Sequence, residues 1–167
     1  HRILSKSDTE SPVHYTNIIE TCGRCHSDEK YMKEYGLPTD QVEKYRKSYH
    51  AQVLYGFVPD KNPALAPTCA SCHTHSPLLP AAADVPDICG RCHSVTSQYY
   101  KDSPHFVSLS EYGVPRCIDC HGNHAIAFPT TELFNECGSC HEEGSPAYEK
   151  GQWIQERLVN AEQKVDY

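Results

Sequence analysis

Methionine and tryptophan occur once each in this chain of 167 residues, and phenylalanine only four times. Hydrophobic residues reach 38 % in all. Such a chain cannot fill a large aliphatic interior, and small domains short of core rely on disulfides or metals instead. Long apolar runs are missing too. No stretch approaches the roughly 18 residues that a membrane helix needs. The longest patches, around residues 78–79 and 125–128, are short and broken by proline. Positive charge is in deficit: the formal net charge of −7 argues against a general nucleic-acid binder. Neither a glycine-rich phosphate loop nor a G-x-S-x-G elbow is present. The opening residues, His1 to Glu10, are polar and mixed in charge, unlike a secretory signal, so an exported form is expected to have lost its signal peptide already.

What the chain holds in quantity is cysteine and histidine, ten and 11 respectively. Every cysteine lies in the same five-residue string: Cys22-Gly-Arg-Cys25-His26, Cys69-Ala-Ser-Cys72-His73, Cys89-Gly-Arg-Cys92-His93, Cys117-Ile-Asp-Cys120-His121 and Cys137-Gly-Ser-Cys140-His141. A C-x-x-C pair alone fits half a zinc site, a redox dithiol or part of a disulfide framework. None of these accounts for a histidine after every second cysteine. On composition, five such placements by chance have odds of about one in a million. C-x-x-C-H is the c-type haem attachment pattern, in which two thioethers hold the vinyl edge and the next His lies beneath the iron. The spacing therefore predicts five covalent haems, with His26, His73, His93, His121 and His141 as proximal ligands. The macrocycles would supply the interior. The fold class expected is mostly coil, with a few short α-helices wrapped around a chain of haems and little or no β structure.

Six histidines remain: His1, His14, His50, His75, His105 and His124. With a single methionine, Met32, at most one haem could be His/Met ligated, so bis-His ligation throughout is the economical expectation. His50 and His105 share a context, Tyr45-Arg-Lys-Ser-Tyr-His50 and Tyr100-Lys-Asp-Ser-Pro-His105. His75 and His124 each follow an attachment string too closely to reach round their own iron, so each should ligate a neighbouring haem. His14 is the better candidate for the fifth distal ligand and His1, at the terminus, the weaker. No His follows His141. The elongated arrangement of haems then expected would put His14 and the haem at 137–141 at opposite ends, so that His14 ligates that haem in an adjacent subunit.

An internal repeat underlies the layout. Residues 22–75 contain an attachment string, Ser-x-His50, a second string and His75. Residues 89–124 repeat that order through His105 and His124, and a third unit starting at 137 is truncated. The whole chain, 1–167, is expected to form one pentahaem domain. Asp40 and Glu43 suggest a capping box opening a helix through His50 to Tyr55. A short helix is expected from Ser94 to Tyr100 or beyond, and loops at 57–67 and 78–81. Ser145 and Pro146 suit the start of a C-terminal helix over about 146–165, whose stripe of Tyr148, Trp153, Ile154, Leu158, Ala161 and Val165 would pack on the haem core or meet a partner.

On these strings and on the Ser-x-His and Cys-His-x-x-His elements, the sequence resembles bis-His multihaem c-type cytochromes over about residues 11–143. It is similar to extracellular cytochrome filament subunits and to small periplasmic multihaem electron shuttles. Pentahaem nitrite reductases are a poorer match, being much longer and carrying a lysine where all five strings here end in His. The resemblance implies alternating stacked and T-shaped haem pairs. It also implies electron transfer without catalysis, in an extracytoplasmic protein. The filament form would be a head-to-tail homopolymer with inter-subunit haem contacts, placed outside the cell. The shuttle form would be a periplasmic monomer docking to other redox proteins. An enzyme of the nitrite or hydroxylamine type would instead need an open iron, for which the haem at 137–141 is the only plausible place.

Overall fold

A computed structural model describes residues 3–73, 81–127 and 130–165. Helices make up about 60 % of the described residues, and no strand occurs among them. The elements are short and joined by turns and coil, and their helical share is larger than the sparse helices expected. The polypeptide contacts gather into two compact units, 1–127 and 128–167. The second begins just before the truncated third repeat.

In the first unit, helices α1 (Ile18–His26), α3 (Gln41–Arg46) and α4 (Tyr49–Leu54) surround a small core of Ile19, Val42, Leu54 and Ala66. Tyr15, Ile18, Tyr45, Val53 and Cys69 pack around it. Helix α2 (Glu29–Met32) continues into a 3-10 turn, Lys33–Tyr35. Helix α5 (Cys69–Cys72) packs on α1. Further along the chain, α6 (Val85–Gly90) packs on α7 (Ser94–Lys101) and on α9 (Cys117–His121), and α8 (Pro104–Tyr112) on α7. Among the described residues the buried hydrophobic side chains are Ile19, Met32, Val42, Ala51, Leu54, Ala66, Val85 and Leu109. The side chains alone therefore make a thin core, as the shortage of large apolar residues requires.

Two expected elements changed form. The single helix from Asp40 to Tyr55 is broken in two. Asp40 makes no side-chain cap and pairs instead with Lys44 at 2.8 Å, while Glu43 pairs with Lys47 at 2.6 Å. Ser48 then caps a new helix, its Oγ accepting from the Ala51 N–H at 3.1 Å. Serine competes for backbone donors in this way, and a helix passing through it restarts. The loop at 57–67 holds a 3-10 turn, Pro63–Leu65, capped by Asn62. The helix expected near Ser94 is α7. Residues 78–80 of the other expected loop lie outside the described residues.

In the second unit a 3-10 stretch, Thr131–Ser139, packs on α10 (Pro146–Val165). Ser145 accepts from the Tyr148 N–H at 3.3 Å, as a capping residue should. The buried seam of α10 centres on Gly151, where an added Cβ would lie 3.0 Å from the Cys137 sulfur. The expected apolar stripe is left open at Trp153, Ile154 and Leu158. Trp153 lies between Lys150 Nζ and Arg157, each 4.1 Å from its ring centre.

Candidate functional site

Every Cys-x-x-Cys-His string falls on or at the edge of a helical element, and none of the ten cysteines forms a disulfide. In each string the first cysteine is half-buried and the second exposed. One helical turn thus presents two sulfurs on adjoining sides, one against the fold and one outward. The two repeats build their second string alike. The Thr68 N–H donates to Ser71 Oγ at 3.0 Å, and the Arg116 N–H to Asp119 Oδ2 at 2.6 Å. Each bond ties the residue before the first cysteine to the residue before the second.

A further likeness was not read from the sequence, although its residues stood in the shared Tyr-to-His context. The Tyr45 hydroxyl donates to the Pro67 carbonyl at 2.6 Å, and the Tyr100 hydroxyl to the Pro115 carbonyl at 2.7 Å. Each tyrosine precedes its Ser-x-His by the same number of residues, and each carbonyl lies two residues before a first cysteine. The two phenols latch each Ser-x-His segment to the Cys-x-x-Cys-His string that follows it.

Two pairs of histidines face one another across the first unit. The rings of His50 and His93 have centroids 6.1 Å apart and planes inclined by 31°. Those of His73 and His124 are 5.9 Å apart and inclined by 14°. A ligating imidazole nitrogen sits about 2 Å from its metal and about 1.1 Å from its own ring centre, so two imidazoles on opposite faces of one iron have centroids about 6 Å apart. Both pairs have that spacing. Among the described residues no three His, Cys, Asp or Glu side chains converge as a tetrahedral zinc site needs. Each pair could hold one metal ion between its two imidazoles, and a planar macrocycle attached at the neighbouring sulfurs would supply the remaining ligands. The residues present therefore fit haem. No family model, no curated protein and no solved structure matches the chain.

Electrostatics favour the ligating form of the imidazoles. Burial, and then the charge of His93, pushes the pKa of both His50 and His121 down. Burial, then His73 and Lys44, does the same to His124. Each is held neutral, with a lone pair free for a metal. The thiols are also paired across strings. Burial pushes Cys69 up to about 12, with the neighbouring Cys22 sulfur adding to the shift. Cys89 and Cys117 share a hydrogen bond that keeps Cys89 protonated and favours the Cys117 thiolate. Within each repeat, then, the first cysteines of the two strings are neighbours. Thioether formation would end these titrations and leave the adjacency.

The other expected ligands are placed as follows. His14 is buried, 7 % exposed, with Nδ1 2.7 Å from Thr16 Oγ1 and its ring 4.4 Å from that of Tyr15. Were Nε2 to ligate a metal, Thr16 at Nδ1 would fix the orientation of the ring, as partners of ligating histidines do. Met32 is buried in α2. His26 and His105 are exposed and His141 half-buried. His75 and His1 lie outside the described residues.

Proposed function

We propose that this protein carries electrons through five covalently attached, bis-His c-type haems and catalyses no reaction. The observation that carries the proposal is the pair of facing imidazole sets, His50 with His93 and His73 with His124, each at the spacing one iron requires. Haem iron, when bound, supplies a one-electron couple between its ferric and ferrous states. The chain's residues do the rest. The ten cysteines anchor, the five string histidines ligate from one side, and His14, His50, His75, His105 and His124 ligate from the other. With both axial positions taken, no site stays open for substrate. The half-buried first cysteines hold attachment edges of successive strings together, which keeps the electron steps short.

Covalent attachment of this type places the protein outside the cytoplasm, outside the cell in the filament form or in the periplasm as a shuttle. No helix among the described residues is long and apolar enough to cross a membrane. The electron acceptor is a further copy of the chain packed head to tail, another redox protein or an extracellular acceptor.

The test is spectroscopic. Oxidised and reduced protein should both be fully low-spin, and the reduced protein should not bind carbon monoxide. Rapid carbon monoxide binding by one haem in five would favour an open catalytic iron instead.

A further inference from the structure

We infer that the two repeats exchange distal ligands: His50 of the first repeat serves the haem of the second repeat's 89–93 string, and His124 of the second serves the haem of the first repeat's 69–73 string. This rests on the haem-binding function proposed above and specifies which imidazoles share an iron. Sequence proximity alone would pair His50 with an attachment string of its own repeat, and reach requires only that His124 serve a string other than the one it follows. The ring geometry crosses the repeats in both directions, at 6.1 Å for His50 with His93 and 5.9 Å for His73 with His124.

Three further contacts support the crossing. The Tyr49 N–H, beside His50, donates to the Ile126 carbonyl at 2.9 Å, so the two distal segments are joined by their backbones. Asp40 and Lys44 of the first repeat lie within electrostatic reach of His124. Arg91, inside the 89–92 cysteine pair, donates from Nη1 to the Ser71 carbonyl at 3.4 Å, inside the 69–72 pair. The second and third attachment strings are therefore neighbours, and the ligand of each comes from the far side of the repeat boundary.

The arrangement has a functional consequence. Each of the two central haems is anchored by thioethers from one repeat and by an imidazole from the other. Separating the repeats would break two coordinate bonds, so the electron step between them is held at fixed distance. The repeats would act as one conductor and not as two separable modules. Chain order would then be spatial order for the first four strings: Cys22 neighbours Cys69, Cys72 lies within electrostatic reach of Cys92, and Cys89 bonds Cys117.

The experiment counts high-spin haems by electron paramagnetic resonance in the full-length holoprotein. His50→Ala should turn one haem in five high-spin. Cys89→Ala with Cys92→Ala should remove one haem and leave four low-spin. Adding His50→Ala to that variant should leave the same four low-spin, because the iron His50 served is gone. A high-spin haem in the combined variant would overturn the pairing. His124→Ala combined with Cys69→Ala and Cys72→Ala forms the matching set, with the same two outcomes. Should the cysteine variants not fold, paramagnetic proton NMR of the unaltered protein decides. Ring protons of His50 should show nuclear Overhauser effects to the haem bearing the Cys89 and Cys92 thioethers, and contact with any other haem would refute the exchange. An intact mass without covalent haem would refute the proposed function itself, an outcome distinct from either pairing result.

Discussion

The tyrosine latches allow a sharp test of the repeat as a structural unit. In Tyr45→Phe the ring stays in the cluster of Ile19, Val42, Leu54 and Ala66, and only the hydroxyl is lost. Its partner, the Pro67 carbonyl at 2.6 Å, is then left without that donor in a partly buried place. Stranding such an acceptor costs about 1–2 kcal/mol. Tyr100→Phe, which frees the Pro115 carbonyl, should cost a similar amount, its ring remaining edge-on to Phe106 at 5.8 Å. Tyr45→Ala also empties a core position and should cost about 3–5 kcal/mol. Tyr112, 75 % exposed, is the control, and Tyr112→Phe should stay within about 0.5 kcal/mol of the parent. Guanidinium unfolding followed by far-ultraviolet circular dichroism gives these differences as midpoint shifts at unchanged slope. If both latch variants unfold with Tyr112→Phe, the two hydrogen bonds do not hold the attachment strings, and the structural likeness of the repeats carries no stability.

Three other outcomes follow from particular contacts. Burial raises the Tyr45 phenol above its ordinary value while an unfolded phenol titrates near 10, so this residue's contribution is whole below about pH 10 and lost as pH rises beyond it; Tyr45→Phe should flatten the alkaline fall in stability measured across that range. An added Cβ at Gly90 would lie 2.7 Å from Ser97 Oγ, whereas at Gly23, the matching position of the first repeat, it would meet Val42 at 3.4 Å; Gly90→Ala should therefore destabilise by about 1–3 kcal/mol and Gly23→Ala by clearly less, read as unfolding midpoints. His14→Ala should turn one haem in five high-spin; loss of assembly in the same variant, read by sedimentation, places His14 on a haem of an adjacent subunit, unchanged sedimentation places it on a haem of its own chain, and five low-spin haems would remove His14 from the ligand set.

How far the chain could be read in advance depended on the range of the interactions involved. The Cys-x-x-Cys-His strings are local, their residues lying within five positions, and each falls on or at the edge of a helical element. The Ser145 cap and the helix from Ser94 are local too, and both appear as expected. The helix across Ser48 did not, since a serine able to recapture backbone donors splits it, and its hydroxyl choice depends on where Ala51 lies. The tyrosine latches join residues 22 and 15 positions apart, and no periodicity announces them. That His124 should serve a string other than its own is an expectation from reach alone, whereas the nearness of the His73 ring to it needed the fold. The covering of His14 was equally invisible, because it depends on how the segment before α1 turns back. The stripe on α10 shows the converse: its spacing was legible, its burial was not, and Gly151 against Cys137 forms the seam instead.

The central claim is that the cysteines hold haem. Intact-mass spectrometry of the native protein after acid-acetone extraction tests it most directly. The account predicts the mass of the polypeptide plus five haems, because thioether bonds survive the extraction. A mass equal to the bare polypeptide, with free thiols or bound zinc, would contradict it.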